Sequence, residues 1–148
     1  MTESEAPARK EAGAEESRRR VRFVEATYRP DPRSVSAAVS LEWNGRQAGG
    51  EAVAPAGVAA ELRVPALATL RALEKLMDGK LRFELVGIKS TRAFDADLVV
   101  VLIHCPNHPE RRLVGVCLNS GKSVAESAAL AVLNATNRVL GNYLDTSD

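Results

Sequence analysis

Pro65-Ala66-Leu67-Ala68-Thr69-Leu70-Arg71-Ala72-Leu73-Glu74-Lys75-Leu76-Met77 is echoed by Ala128-Ala129-Leu130-Ala131-Val132-Leu133-Asn134-Ala135-Thr136-Asn137-Arg138-Val139-Leu140. Superposed, Ala66, Leu67, Ala68, Leu70 and Ala72 fall on Ala129, Leu130, Ala131, Leu133 and Ala135, Lys75 falls on Arg138, and Leu76 on Val139. Apolar residues recur at helical spacing in both runs. Self-similarity of this kind marks a duplicated structural unit, so what precedes each helix should repeat as well.

It does. Ahead of the first helix, Val21 to Tyr28 alternates loosely as a strand and Pro30-Asp31-Pro32 breaks it. Val35 to Trp43 is a clearer strand, with Val35, Ala37, Val39, Leu41 and Trp43 on one face. Asn44-Gly45 then signals a tight hairpin, because both residues tolerate positive φ. Gln47 to Val53 pairs back, and Gly49-Gly50 within it points to a bulge or the close approach of another backbone. Ala54-Pro55-Ala56-Gly57 is a loop. The first helix starts near Val58 or Val64 and ends at Met77, with Leu67, Leu70, Leu73 and Met77 as its buried stripe, Arg71 and Lys75 opposite, and Gly79 as a left-handed cap.

The pattern then restarts. Leu81-Arg82-Phe83 repeats Val21-Arg22-Phe23 and opens a strand to Lys89, and Ser90 to Asp95 is a turn. Leu98 to Cys105 is a near-continuous apolar run, as in a strand covered on both faces. Pro106-Asn107-His108-Pro109 is a hairpin loop, and Arg111 to Leu118 returns with Gly115 in the place of Gly50. Ser123 and Glu126 form a capping box that starts the last helix, which Gly141 ends after Leu140. Ala125, Ala128, Ala129, Ala131 and Ala135 let that helix lie close against its neighbours.

The chain therefore reads as an α+β fold of duplicated βββα units, residues 20–78 and 80–141, with antiparallel strands packed against two helices. The strands form either one six-stranded layer or two three-stranded sheets. Residues 20–144 make one domain, residues 1–19 a disordered charged tail, and residues 145–148 a C-terminal tail. In the first tail Glu3, Glu5, Glu11, Glu15 and Glu16 balance Arg9, Lys10, Arg18, Arg19 and Arg20, with almost nothing to bury.

Composition bounds the function. At 148 residues with a formal net charge of +1, the chain has no global field to gather nucleic acid or acidic lipid. Its two cysteines, Cys105 and Cys117, are too few for a disulfide framework and read as buried free thiols in a cytoplasmic protein. No apolar run approaches the ~18 residues of a membrane span, and the N-terminus does not read as a signal peptide.

Candidate chemistry is sparse. Gly121-Lys122-Ser123 at a helix start invites comparison with a phosphate-binding loop, but that motif requires a glycine where Val116 stands. What remains is a helix terminus that, with Lys122, can hold a small anion. His104, Cys105 and His108 do not make a closed metal site, because Cys117 pairs nearer Val99 and two of the three alternate across one strand. No nucleophile–base arrangement is visible, so neither catalysis, cofactor nor metal is expected. The segments that break the internal symmetry carry the expected ligand site: Asp95 in its turn, and Asn119, Ser120, Gly121, Lys122 and Ser123 ahead of the last helix. The Ala54–Gly57 loop breaks the symmetry too.

The βββα duplication resembles the C-terminal regulatory (dimerisation) domain of 2-isopropylmalate synthase. Asp95-Ala96 before Leu98-Val99-Val100 is similar to that family's Asp-Ala ahead of a central strand. Ala125-Glu126-Ser127-Ala128 and Asn137-Arg138 are similar to its last helix. The likeness spans about Val35 to Leu140, although Ala54–Val58 replaces the family's glycine-rich loop and the catalytic barrel is absent. The resemblance implies a non-enzymatic homodimer that binds a small molecule or partner protein in a regulatory role. A second resemblance is to double-stranded-RNA-binding domains, whose αβββα order fits Val64 to Leu140 and whose last helix starts much like Gly121-Lys122-Ser123. Val124, Ala125 and Glu126 stand where that family has phosphate-gripping lysines, so nucleic acid is the weaker expectation.

Overall fold

The structure is a computed structural model that describes residues 20–106 and 112–146. The expected 1–19 tail, His108 with most of its loop, Arg111 and residues 147–148 lie outside the described residues.

Three strands, β1 (Arg22–Pro30), β2 (Ser34–Trp43) and β3 (Arg46–Pro55), precede helix α1 (Ala60–Leu76). Three more, β4 (Glu84–Ala93), β5 (Ala96–His104) and β6 (Arg112–Leu118), precede helix α2 (Val124–Thr146). The strands form two antiparallel three-stranded sheets, ordered β1-β2-β3 and β4-β5-β6. The sequence's choice between one layer of six and two sheets of three is thereby settled as an α+β fold of two βββα units.

The hairpins set register. Asn44 (φ 52°) and Gly45 (φ 81°) make the expected two-residue turn, with Trp43 opposite Arg46. In the second unit the expected six-residue turn is only Phe94-Asp95, at φ 54° and 59°, and Ser90 to Ala93 continue β4. Neither turn residue is glycine, so the usual signal was lacking. Both units carry a β-bulge at corresponding places, between Phe23 and Glu25 and between Leu85 and Gly87. Since Arg22 pairs with Glu42 where Glu84 pairs with His104, Val21 corresponds to Phe83. The alignment of Val21-Arg22-Phe23 with Leu81-Arg82-Phe83 is two residues out of step.

Each helix lies on the second and third strands of its own unit, and α1 and α2 touch one another. The alanine repeat explains the closeness. A Cβ added to Gly50 would stand 2.5 Å from the Ala72 nitrogen and overlap the Ala68 carbonyl. A Cβ added to Gly115 would stand 2.7 Å from the Ala135 nitrogen and overlap the Ala131 carbonyl. Ala68 and Ala131, and Ala72 and Ala135, are the pairs that the helix alignment equates. Around these contacts Val39, Leu41, Leu73, Val101, Ile103, Val132 and Leu140 join in one core fed by both units. Buried Thr69 and Thr136 satisfy their hydroxyls on the carbonyls one turn back, Pro65 at 2.7 Å and Val132 at 3.0 Å.

Element ends differ from the sequence reading. Helix α1 closes with Asp78, not Gly79, in the first left-handed position: the Asp78 N–H donates to Lys75 O and the Gly79 N–H to Glu74 O. Gly141 does not end α2, which continues to Thr146 and takes up the start of the expected C-terminal tail. Pro30, Ala54 and Pro55 are strand-terminal residues rather than breakers, as edge strands permit. Strand β5 is not covered on both faces: Val99, Val101 and Ile103 are buried, whereas Leu98, Val100 and Leu102 are half-buried on the outside. No helix among the described residues is long and apolar enough to cross a membrane.

Candidate functional site

The fold brings the expected site residues to one end of the second sheet. The Asn119 N–H donates to Asp97 O at 2.9 Å, which sets the loop before α2 beside the Phe94-Asp95 turn. The loop is tied mainly to itself. Ser123 Oγ accepts from the Glu126 N–H at 3.1 Å, the expected cap. Ser127, fully buried, donates its hydroxyl to Asn119 Oδ1 at 3.0 Å. The Ser120 N–H donates to Leu118 O, Gly121 turns at φ 69°, and Lys122 Nζ reaches back to Leu118 O at 3.5 Å. Asp95 stands exposed in its turn. These bonds organise the start of α2.

Of the other candidates, Cys105 and Cys117 are free and buried. Cys117 pairs with Val99 across the sheet, far from Cys105 at the other end of β5, as the sequence indicates. Burial pushes the Cys117 thiol up from its ordinary range, against a smaller lowering by Lys122, so it is a poor nucleophile at neutral pH. His104 Nδ1 lies 3.4 Å from Glu84 Oε2. Among the described residues no group of three or more His, Cys, Asp or Glu is placed to hold a metal ion.

A groove of about 880 Å³ lies instead on the first sheet, where its outer surface meets the side of α1. Ala38, Ser40 and Gly49 are small and form its floor. Glu25 from β1 and Glu51 from β3 line it, and Arg71 and Lys75 from α1, with Asp78 just past the end of that helix, close one side. The cations are held in place: Arg71 Nη1 donates to Glu51 O at 2.5 Å and Lys75 Nζ to Gly49 O at 2.8 Å. Asp78 pairs with Arg46 at 3.3 Å. The side-chain carboxylates of Glu25 and Glu51 have no hydrogen-bond or ion-pair partner among the described residues. The groove therefore presents two unspent carboxylates across a small-residue floor, with two fixed cations at its rim.

None of its charged residues was singled out as a ligand group from sequence. The available signal was the run of small residues at alternate positions, Ser36, Ala38 and Ser40, which faces outward on β2 and leaves the floor low. Arg71 and Lys75 read only as the side of the helix opposite its buried stripe, because nothing in the sequence places β3's edge beneath them. Compared with known proteins, the chain matches no family model and no curated protein.

Proposed function

We propose that this protein is a non-catalytic regulatory module, working as a homodimer in the cytoplasm, that binds a small polar metabolite in the groove of the first sheet. The observation that carries this reading is the pairing of free carboxylates, Glu25 and Glu51, with the anchored cations Arg71 and Lys75 around one floor. Such a lining suits a zwitterion: an ammonium between the carboxylates and a carboxylate on the remaining guanidinium and ammonium donors. An amino acid is the simplest molecule with that charge pattern. The duplicated βββα arrangement, the feature shared with the regulatory domain of 2-isopropylmalate synthase, supports a regulatory role. The free, buried thiols favour a reducing compartment.

Thermal-shift and calorimetric titration against the amino acids, with a diamine and a dicarboxylate as single-charge controls, tests the reading. A saturable stabilisation by a zwitterion is expected, lost in Glu25→Gln/Glu51→Gln and in Ser40→Phe, which fills the floor. No stabilisation by any compound at about 10 mM, well above a weak Kd, overturns it.

A further inference from the structure

The duplication supplies an internal control on surface chemistry. Pairing register places Leu102 beside Val114, Val100 beside Val116 and Leu98 beside Leu118 on the outer face of the second sheet. At the corresponding places of the first sheet stand Ser40 and Gly49, Ala38 and Glu51, and Ser36 and Val53. The same fold position is thus filled by Leu and Val in one unit and mostly by Ser, Ala, Gly and Glu in the other. Strand pairing and the core do not call for the apolar set, since the first sheet forms without it.

From this face we infer that the second sheet's outer surface is the dimer interface, packed on the same surface of a second copy of this chain. The inference rests on the homodimer reading above and assigns its contact. Val114 is 52% exposed, Val116 41% and Leu118 50%, with Val86 at the bulge 50% and Phe94 at the turn 101% exposed. Together with half-buried Leu98, Val100 and Leu102 they expose on the order of 500 Å² of apolar surface, at the upper end for a monomer. A standard interface buries about 800 Å² per partner, somewhat over half of it apolar, so the patch has the apolar area that one copy must contribute.

Two further observations select a face-to-face mode and a second copy. Edge-to-edge pairing through β3 or β6 is obstructed by the helices: Arg71 and Lys75 of α1 take carbonyls of β3, and Asn134 Oδ1 of α2 takes the Val116 N–H of β6 at 3.0 Å. The charged row Glu84–His104–Arg112, at one end of the apolar pairs, is also self-complementary. A twofold axis along β5 sets Glu84 of each copy over Arg112 of the other. On the edge strand β4 the outward positions beside Val100 and Leu98 are exposed Lys89 and half-buried Thr91, so that the Lys89 stem can lie along the apolar face with its ammonium at the sheet edge.

The test is solution mass by light scattering and sedimentation, on the full chain, across about 1–100 µM, a range that brackets a micromolar Kd. The expected result is a dimer for the natural protein, a monomer for Val116→Lys with unchanged circular dichroism, and a dimer for Val53→Lys at the matching face of the first sheet. The milder pair Val116→Thr/Leu118→Thr, which keeps strand-forming residues, should weaken association at least tenfold even if the lysine variant folds poorly. A natural protein that stays monomeric overturns the dimer reading and the interface together. A natural dimer that Val116→Lys and the threonine pair leave intact, or that Val53→Lys dissociates, overturns the interface alone. Metabolite binding is scored separately by the titration above.

Discussion

Asn137 on α2 brackets the backbone of Val21, 116 positions earlier: Oδ1 accepts the Val21 N–H at 3.0 Å and Nδ2 donates to the Val21 carbonyl at 3.3 Å. The helix alignment equates Asn137 with Glu74, whose Oε1 accepts the Phe83 N–H at 3.3 Å. Val21 and Phe83 each immediately precede the first strand of a unit. Each helix therefore pins the start of the other unit's sheet, and α2 accordingly touches β1 while α1 touches β4. The two units interlock through these side chains as well as through the shared core.

Removing one clasp should loosen that interlock. Asn137→Ala leaves the Val21 amide and carbonyl without their partners in a half-buried place, at a cost of about 1–3 kcal/mol. Asn137→Asp keeps the acceptor and loses the donor, so it should fall between. Thermal unfolding is expected to show a lower Tm for both, in that order. Equal Tm values for Asn137→Ala and the natural protein would refute the clasp.

The close helix–sheet contact makes a sharper claim about glycine. Gly50→Ala and Gly115→Ala drive a methyl group into helix backbone, where no side-chain rotation relieves the overlap, so each should cost about 3 kcal/mol or more. Gly49→Ala is the control, because a Cβ there meets only the Val39 carbonyl at 3.8 Å. Denaturant midpoints should separate the first two from the third.

These contacts also explain what was legible from sequence. The helix repeat was readable because Ala68, Ala72, Ala131 and Ala135 are small for one reason, the glycine facing each pair. The turn at Asn44-Gly45 was readable because its residues favour positive φ, whereas Phe94 and Asp95 adopt the same conformation without that signal. The loop at Asn119–Ser123 is conspicuous for its likeness to ligand loops, and within it Ser123 Oγ caps α2 while Asn119 ties the loop to Asp97 and to buried Ser127. The groove was not legible, because it exists only once β3's edge lies under Arg71 and Lys75.

Ser123 should then behave as a structural cap. Ser123→Ala leaves the Glu126 amide unsatisfied and is expected to destabilise by about 1 kcal/mol, while Ser123→Asp should be near neutral or better, since it can cap and also favours the helix dipole. Chemical denaturation of the two variants checks this, and a similar loss in both would exclude the cap.

Cys117 gives a signed pH dependence. Its thiol is raised above the ordinary 9.0 by burial, so the folded state holds its proton at a pH where the unfolded chain releases it. Unfolding then releases a proton, and the stability present below about pH 9 is lost as the pH rises towards and through the folded value. Cys117→Val removes this contribution without emptying the site. The stability difference between pH 8 and pH 10 should be smaller in the variant than in the natural protein. The same burial predicts slow reaction of Cys117 with a thiol reagent at neutral pH, rising on unfolding.

The edge of β3 provides the last prediction. Arg71 and Lys75 occupy the carbonyls of Glu51 and Gly49, groups that would otherwise face outward on a ten-residue edge strand. Their long side chains therefore act as blocking groups, and their charge keeps a second strand from adding there. Arg71→Ala/Lys75→Ala should change the native fold little, because both residues are exposed and their bonds to the strand are worth roughly 1 kcal/mol each. It should instead expose a pairing edge, so the expected outcome is faster, concentration-dependent aggregation with strand-rich infrared bands during incubation below the Tm. Arg71→Lys/Lys75→Arg, which keeps both cations and their donors, should aggregate no faster than the natural protein. Equal aggregation rates for the alanine pair and the natural protein would mean that the edge is protected by α1's position alone, not by its cations.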